Sequence, residues 1–253
     1  MCIATRSRLP ATLLLLAALA GPLAGHAGAT PAAQSLTTLE SATQQGQARS
    51  DYELARYFSG ATGDRIDPPR AMHHLKRAAE GGLTQAQVDL AFVHYNGQGA
   101  QGRDYAQSFH WFKRAADAGS GIAQCMLGDF YREGWGGTPR NPREAVRLYR
   151  LTAAAPLPCA SRSQYQLYLS HTQGLGVEQN IPVAMQWLRK AARAGNPQAQ
   201  RTLGIAYLRG QGVPPDLERA DHWLRLSRQG VAPHDDHEHD DPAHDGLDGD
   251  HRH

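Results

Sequence analysis

One spacing constrains this chain more than any other feature. Leu54, Leu90, Leu127, Leu167 and Leu203 stand 36, 37, 40 and 36 residues apart, and each carries the same neighbours. Four residues before each leucine is a small residue: Ser50, Ala86, Ala123, Ser163 and Ala199. Four residues after it is a ring: Phe58, His94, Tyr131, His171 and Tyr207. Nine residues after it is a glycine: Gly63, Gly99, Gly136, Gly176 and Gly212. Four of the five units add a glycine two positions earlier, Gly97, Gly134, Gly174 and Gly210; the first has Gly60 instead, one position off.

A second column set follows in every unit. Asp67, Asp104, Asn141, Asn180 and Asp216 open it, and four residues on come Ala71, Ser108, Ala145, Ala184 and Ala220. The bulky pairs His74-Leu75, Trp111-Phe112, Leu148-Tyr149, Trp187-Leu188 and Trp223-Leu224 come next. Offsets of four, three and four put these residues on one stripe of an α-helix. Small residues let two helices approach, and the rings fill the space between neighbouring pairs. The glycines supply the left-handed conformation that ends the first helix. Asp or Asn ahead of the second helix is N-cap chemistry.

Each unit therefore reads as helix, glycine turn, capped helix, over residues 48–82, 83–119, 120–156, 157–195 and 196–230. One pair cannot bury its apolar face alone, whereas stacked pairs share a continuous core. A helix over 33–45, within residues 30–47 and carrying Leu36 and Leu39, is expected to cap the array. The fold class predicted is all-α: a right-handed α/α superhelical solenoid of five helix-pair repeats with a concave groove.

These residues resemble the Sel1-like repeats, relatives of the tetratricopeptide repeats. Ala199 to Gly212 follows small-x-x-x-Leu-Gly-x-x-Tyr-x-x-Gly-x-Gly, and Ala184 to Gly195 follows Ala-x-x-Trp-Leu-x-x-Ala-Ala-x-x-Gly. Unit four departs at Tyr168 and His171, and unit one has His74 where Trp is usual. The resemblance implies scaffolding, with partners that are proteins, often in envelope or signalling complexes.

The ends differ from the body. Residues 1–29 read as a secretory signal: Arg6 and Arg8, an apolar run from Leu9 to Leu19, then small residues up to Ala27 and Ala29. That run is too short for the roughly 20 residues that span a bilayer, so no membrane span is expected after cleavage, and the mature chain is expected in the periplasm or outside the cell. Residues 231–253 hold eight acidic residues and one base, Arg252, so they carry −7 with histidine neutral, while residues 30–230 carry +7. The basic residues fall on polar helix faces, and nucleic acid is not an expected partner of an exported chain.

Residues 231–253 also hold His234, His237, His239, His244, His251 and His253. Imidazoles suit zinc, nickel or copper, and carboxylates can complete a shell. With few apolar residues, the segment is expected to stay without a packed core. Cys125 and Cys159 are expected to pair in an oxidising compartment, across antiparallel helices; exported members of the family use such clips at somewhat different positions. His94 and His171 read as packing residues. No nucleophile elbow, His-Glu-x-x-His helix or phosphate loop is present, so no enzyme is expected and no cofactor is required. The sequence points to an exported scaffold for envelope proteins; the alternative is a protein that buffers metal through its histidines.

Overall fold

The computed structural model describes residues 46–62, 66–98, 102–230 and 232. The expected signal segment, the helix over 33–45 and the histidine-rich residues from 234 onward lie outside the described residues. Among the described residues the chain is helical throughout, apart from one isolated bridge between Ser59 and Ile66. The helices are α1 (Ala48–Phe58), α2 (Pro68–Glu80), α3 (Thr84–Asn96), α4 (Tyr105–Asp117), α5 (Gly121–Glu133), α6 (Pro142–Ala153), α7 (Ala160–Gln173), α8 (Ile181–Arg193), α9 (Pro197–Arg209) and α10 (Leu217–Gln229). A 3-10 turn, Trp135–Gly137, follows α5.

The described residues fall into two compact units, one up to Leu148 and one from Tyr149 onward, divided within α6. In the first, α1 packs on α2 and α3 on α4, while α2–α3 and α4–α5 contacts join successive pairs. In the second, α7 packs on α8 and α9 on α10, with α8–α9 joining them. This is the helix-pair stacking that the columns predict. All five column leucines are at most 5% exposed, because the small residue one turn away lets the partner helix close over each.

The turn chemistry is equally regular. Asp67, Asp104, Asn141, Asn180 and Asp216 each accept a hydrogen bond from the backbone N–H three residues on, at 2.9 to 3.2 Å. Their own N–H groups donate to the carbonyls of Phe58, His94, Tyr131, His171 and Tyr207, at 2.7 to 3.0 Å. One residue thus starts the second helix and ties it to the last turn of the first, so orphan groups of both helix ends are satisfied. Gly97, Gly134, Gly174 and Gly210 cap their helices with φ of 67 to 75°. The first repeat departs here too: Ser59 caps α1 at φ −83° and the positive φ moves to Gly60.

A further column fastens the second, fourth and fifth repeats to the one before. Three residues ahead of the leucine stand Gln87, Gln124, Gln164 and Gln200. Gln87 Nε2 donates to the Ala79 carbonyl at 3.2 Å, Gln164 to Ala153 at 3.0 Å and Gln200 to Ala192 at 3.1 Å. Each bond satisfies a carbonyl in the last turn of the preceding repeat's second helix, inside the packed junction. In the fifth repeat the pattern relaxes: α10 buries only Ala220, and Trp223 and Leu224 stay half-buried.

Candidate functional site

Two polar clusters sit at the start of the array. Asp51 takes the place that glutamine holds in the later repeats and is 2% exposed. His74 Nδ1 lies 2.9 Å from Asp51 Oδ1, and Arg77 Nη2 lies 3.4 Å from Oδ2. The His74 ring stacks on Phe58 with centroids 5.9 Å apart. The two departures of the first repeat are therefore one feature: a carboxylate in the glutamine column requires a cation or a donor where the second, fourth and fifth repeats place tryptophan.

Beside it, the Tyr52 hydroxyl donates to Asp89 Oδ2 at 2.7 Å, and Gln85 Nε2 donates to Oδ1 at 3.0 Å. Burial pushes the Asp89 carboxyl above the usual carboxylate range, opposed by the two hydrogen bonds and Arg56. Burial and the Asp89 charge raise the Tyr52 phenol, which stays a donor. The same connection recurs in the second unit, where the Tyr165 and Thr202 hydroxyls are 3.2 Å apart. Both bonds join residues 37 apart, from one first helix to the next. They brace successive repeats.

The side chains best placed to meet another protein are aromatic, at the turns around α4. Trp135 stacks on Tyr105 with centroids 5.2 Å apart and planes 10° from parallel, and Tyr95 lies 5.5 Å from Tyr105 and 5.7 Å from Trp135. All three are half-buried above Phe130, which is fully buried. Arg103 completes the group, its guanidinium carbon 5.6 Å from the Tyr105 ring centroid and its Nη1 donating to the Tyr105 hydroxyl at 3.2 Å. Gly136 sets this geometry: at φ 66°, an added Cβ would lie 2.6 Å from the Tyr105 carbonyl oxygen. Only glycine lets the turn lie against the start of α4 and lay the indole on the phenol. Rigid aromatics and arginine, partly open and backed by a packed core, are the residue types that anchor protein interfaces.

The histidines of the ring column are packing residues. His171 is buried, and burial, then Arg150, lowers its pKa; burial lowers that of His94. Cys125, 1% exposed on α5, and Cys159, immediately before α7, are each disulfide-bonded. His234, His237, His239, His244, His251 and His253 lie outside the described residues. Among the described residues, no group of three or more His, Cys, Asp or Glu side chains is arranged to hold a metal ion, and no helix is long and apolar enough to cross a membrane. The aromatic group was missed in the sequence because its members come from three separate elements. The glutamine column was visible, one position after the small residues and three before the leucines that define the repeat.

Comparison with known proteins points one way. The chain is 30% identical over 185 residues to an uncharacterized protein of Neisseria meningitidis serogroup B, a match covering 73% of this chain and 30% of that protein. It therefore spans less than a third of that relative's length. A Sel1 repeat protein from Oxalobacter formigenes superposes with a TM-score of 0.61 at 25% identity, over 76% of this chain and 74% of the other. A protective antigen of uropathogenic Escherichia coli displaying an SLR fold gives 0.49 at 30% identity, over 78% and 49%. The Sel1 repeat model matches residues 48–83, 84–120, 121–156, 161–196 and 197–229. Each of those matches contains one column leucine, one capping Asp or Asn and two helices, and together they cover more than half of the chain, so the chain belongs to the Sel1 repeat family.

Proposed function

We propose that the chain is an exported scaffold that holds a protein partner of the cell envelope. Repeats of this family generally serve as protein-interaction scaffolds, and junctions between these repeats are fastened by side chains packed inside them, not by the turns. The observation that carries the reading is the Tyr95, Tyr105, Trp135 and Arg103 group, a pre-ordered aromatic surface beside a rigid turn. Export is supported by the signal-like pattern of residues 1–29, and two disulfide-bonded cysteines suit an oxidising compartment.

The test combines fractionation with cross-linking in intact cells. The reading expects a processed chain in the envelope fraction and a captured protein whose yield falls at least tenfold in Trp135→Ala and Tyr105→Ala. A partner retained undiminished by both variants, or a chain confined to the cytoplasm, would refute it. The histidines support a second reading, in which residues 234–253 bind zinc, nickel or copper. Titration calorimetry with zinc, comparing the full chain with a variant whose six tail histidines are alanine, decides it: equal heats in both rule it out.

A further inference from the structure

The positive charge of the body is not spread evenly. Residues 149–230 hold nine arginines and Lys190 against Glu178, Asp216, Glu218 and Asp221, a net of +6. Two of those acids are already engaged, Asp216 with Arg219 at 3.3 Å and Asp221 with Arg225 at 3.0 Å. The next segment along the chain, residues 233–253, carries −7 with its histidines neutral.

The point at which the chain leaves the last repeat decides where that charge is delivered. A Cβ on Gly195 would lie 3.2 Å from the Ala232 nitrogen and 3.4 Å from its Cα. The backbone beyond α10 therefore runs against the end of α8. Lys190 and Arg193 are exposed in the last turn of α8, and Arg228 is exposed in the last turn of α10. Lys190 precedes Gly195 by five residues, about 7 Å along a helix axis. Asp235, Asp236 and Glu238 follow Ala232 by three, four and six residues, a reach of up to roughly 10 to 20 Å. A tether this short gives an effective concentration in the millimolar range, enough for contacts that would be weak between separate molecules.

We propose that the acidic segment 233–253 binds back onto the basic surface formed by Lys190, Arg193 and Arg228, and so occupies the end of the array as a built-in competitor for acidic partners. The occupant is the chain's own segment, selected by opposite charge and by its point of exit. This does not rest on the aromatic surface of the first unit and stands or falls separately from it.

Zero-length carbodiimide cross-linking of the full chain, read by peptide mass spectrometry, tests the proposal. The reagent joins carboxylates to amines, and the sequence has three lysines, Lys76, Lys113 and Lys190. Lys113, with Asp117 Oδ2 at 3.2 Å, supplies an internal positive control. At low salt the expected product is an intramolecular link from Lys190 to Asp235, Asp236 or Glu238, at least fivefold above any link from those acids to Lys76. In 1 M salt, where screening shortens to about 3 Å, that link should fall at least fivefold while the Lys113 control falls less. Arg193→Glu with Arg228→Glu leaves the Lys190 amine in place and should reduce the link by a similar factor. The proposal is overturned if the control link forms without the Lys190 link. It is also overturned if the Lys190 link is only intermolecular, or if it survives salt and charge reversal unchanged, since proximity alone would then account for it.

Discussion

Replacing Tyr52 by Phe removes one hydroxyl from the junction between the first two repeats, and its cost should depend on pH. The hydroxyl donates at 2.7 Å to Asp89, which is 7% exposed. A hydrogen bond to a charged group contributes about 1.5–3 kcal/mol, and a neutral one about 1 kcal/mol. Asp89 is held above the ordinary carboxylate range by burial. As pH rises through its folded value, ionisation inside the junction costs stability that was present in acid. The Tyr52 hydrogen bond offsets part of this cost by favouring the ionised form. Tyr52→Phe should therefore lose about 2 kcal/mol near pH 7.5 and closer to about 1 kcal/mol in acid strong enough to protonate the carboxyl. Urea unfolding followed by circular dichroism at both pH values measures the difference. An equal loss at the two, or a loss under about 0.5 kcal/mol at the higher, would refute the reasoning.

The glutamine bonds make a second target: Gln87→Ala and Gln200→Ala each withdraw a donor from a junction carbonyl, at 3.2 and 3.1 Å, and should each lower stability by about 1–3 kcal/mol in chemical denaturation. His171 has its pKa lowered by burial, so the folded chain resists a proton that the unfolded chain accepts. Stability should fall as pH drops below about 6.5, and His171→Phe should flatten that slope in a pH series of thermal melts. Non-reducing peptide mapping should recover Cys125 and Cys159 in one linked peptide pair; either cysteine found as a free thiol would defeat that expectation.

Much of the fold was legible because the columns have single physical causes. Leucine, a small residue one turn away and a capping Asp or Asn can serve few purposes besides closing a helix pair, and all five N-caps act as their position predicts. The candidate site was less legible because it depends on contacts between elements. Tyr95, Tyr105 and Trp135 come from a helix end, a helix start and a turn, and nothing in their spacing announces that the rings meet. The exchange of Asp51 for glutamine and of His74 for tryptophan look like two irregularities on paper. Their pairing needs the second helix laid against the first before the carboxylate finds its imidazole and guanidinium.

The phenol-to-next-helix brace at a stride of 37 residues, present once in each unit, bears on how such chains change length. Where a joint draws its donor and acceptor from matching addresses in consecutive copies, as between the first and second and between the fourth and fifth, a copy inserted or deleted by recombination meets flanks that already speak its dialect. Reach along a client can then grow or shrink in whole modules, leaving natural variation to work on the exposed turns.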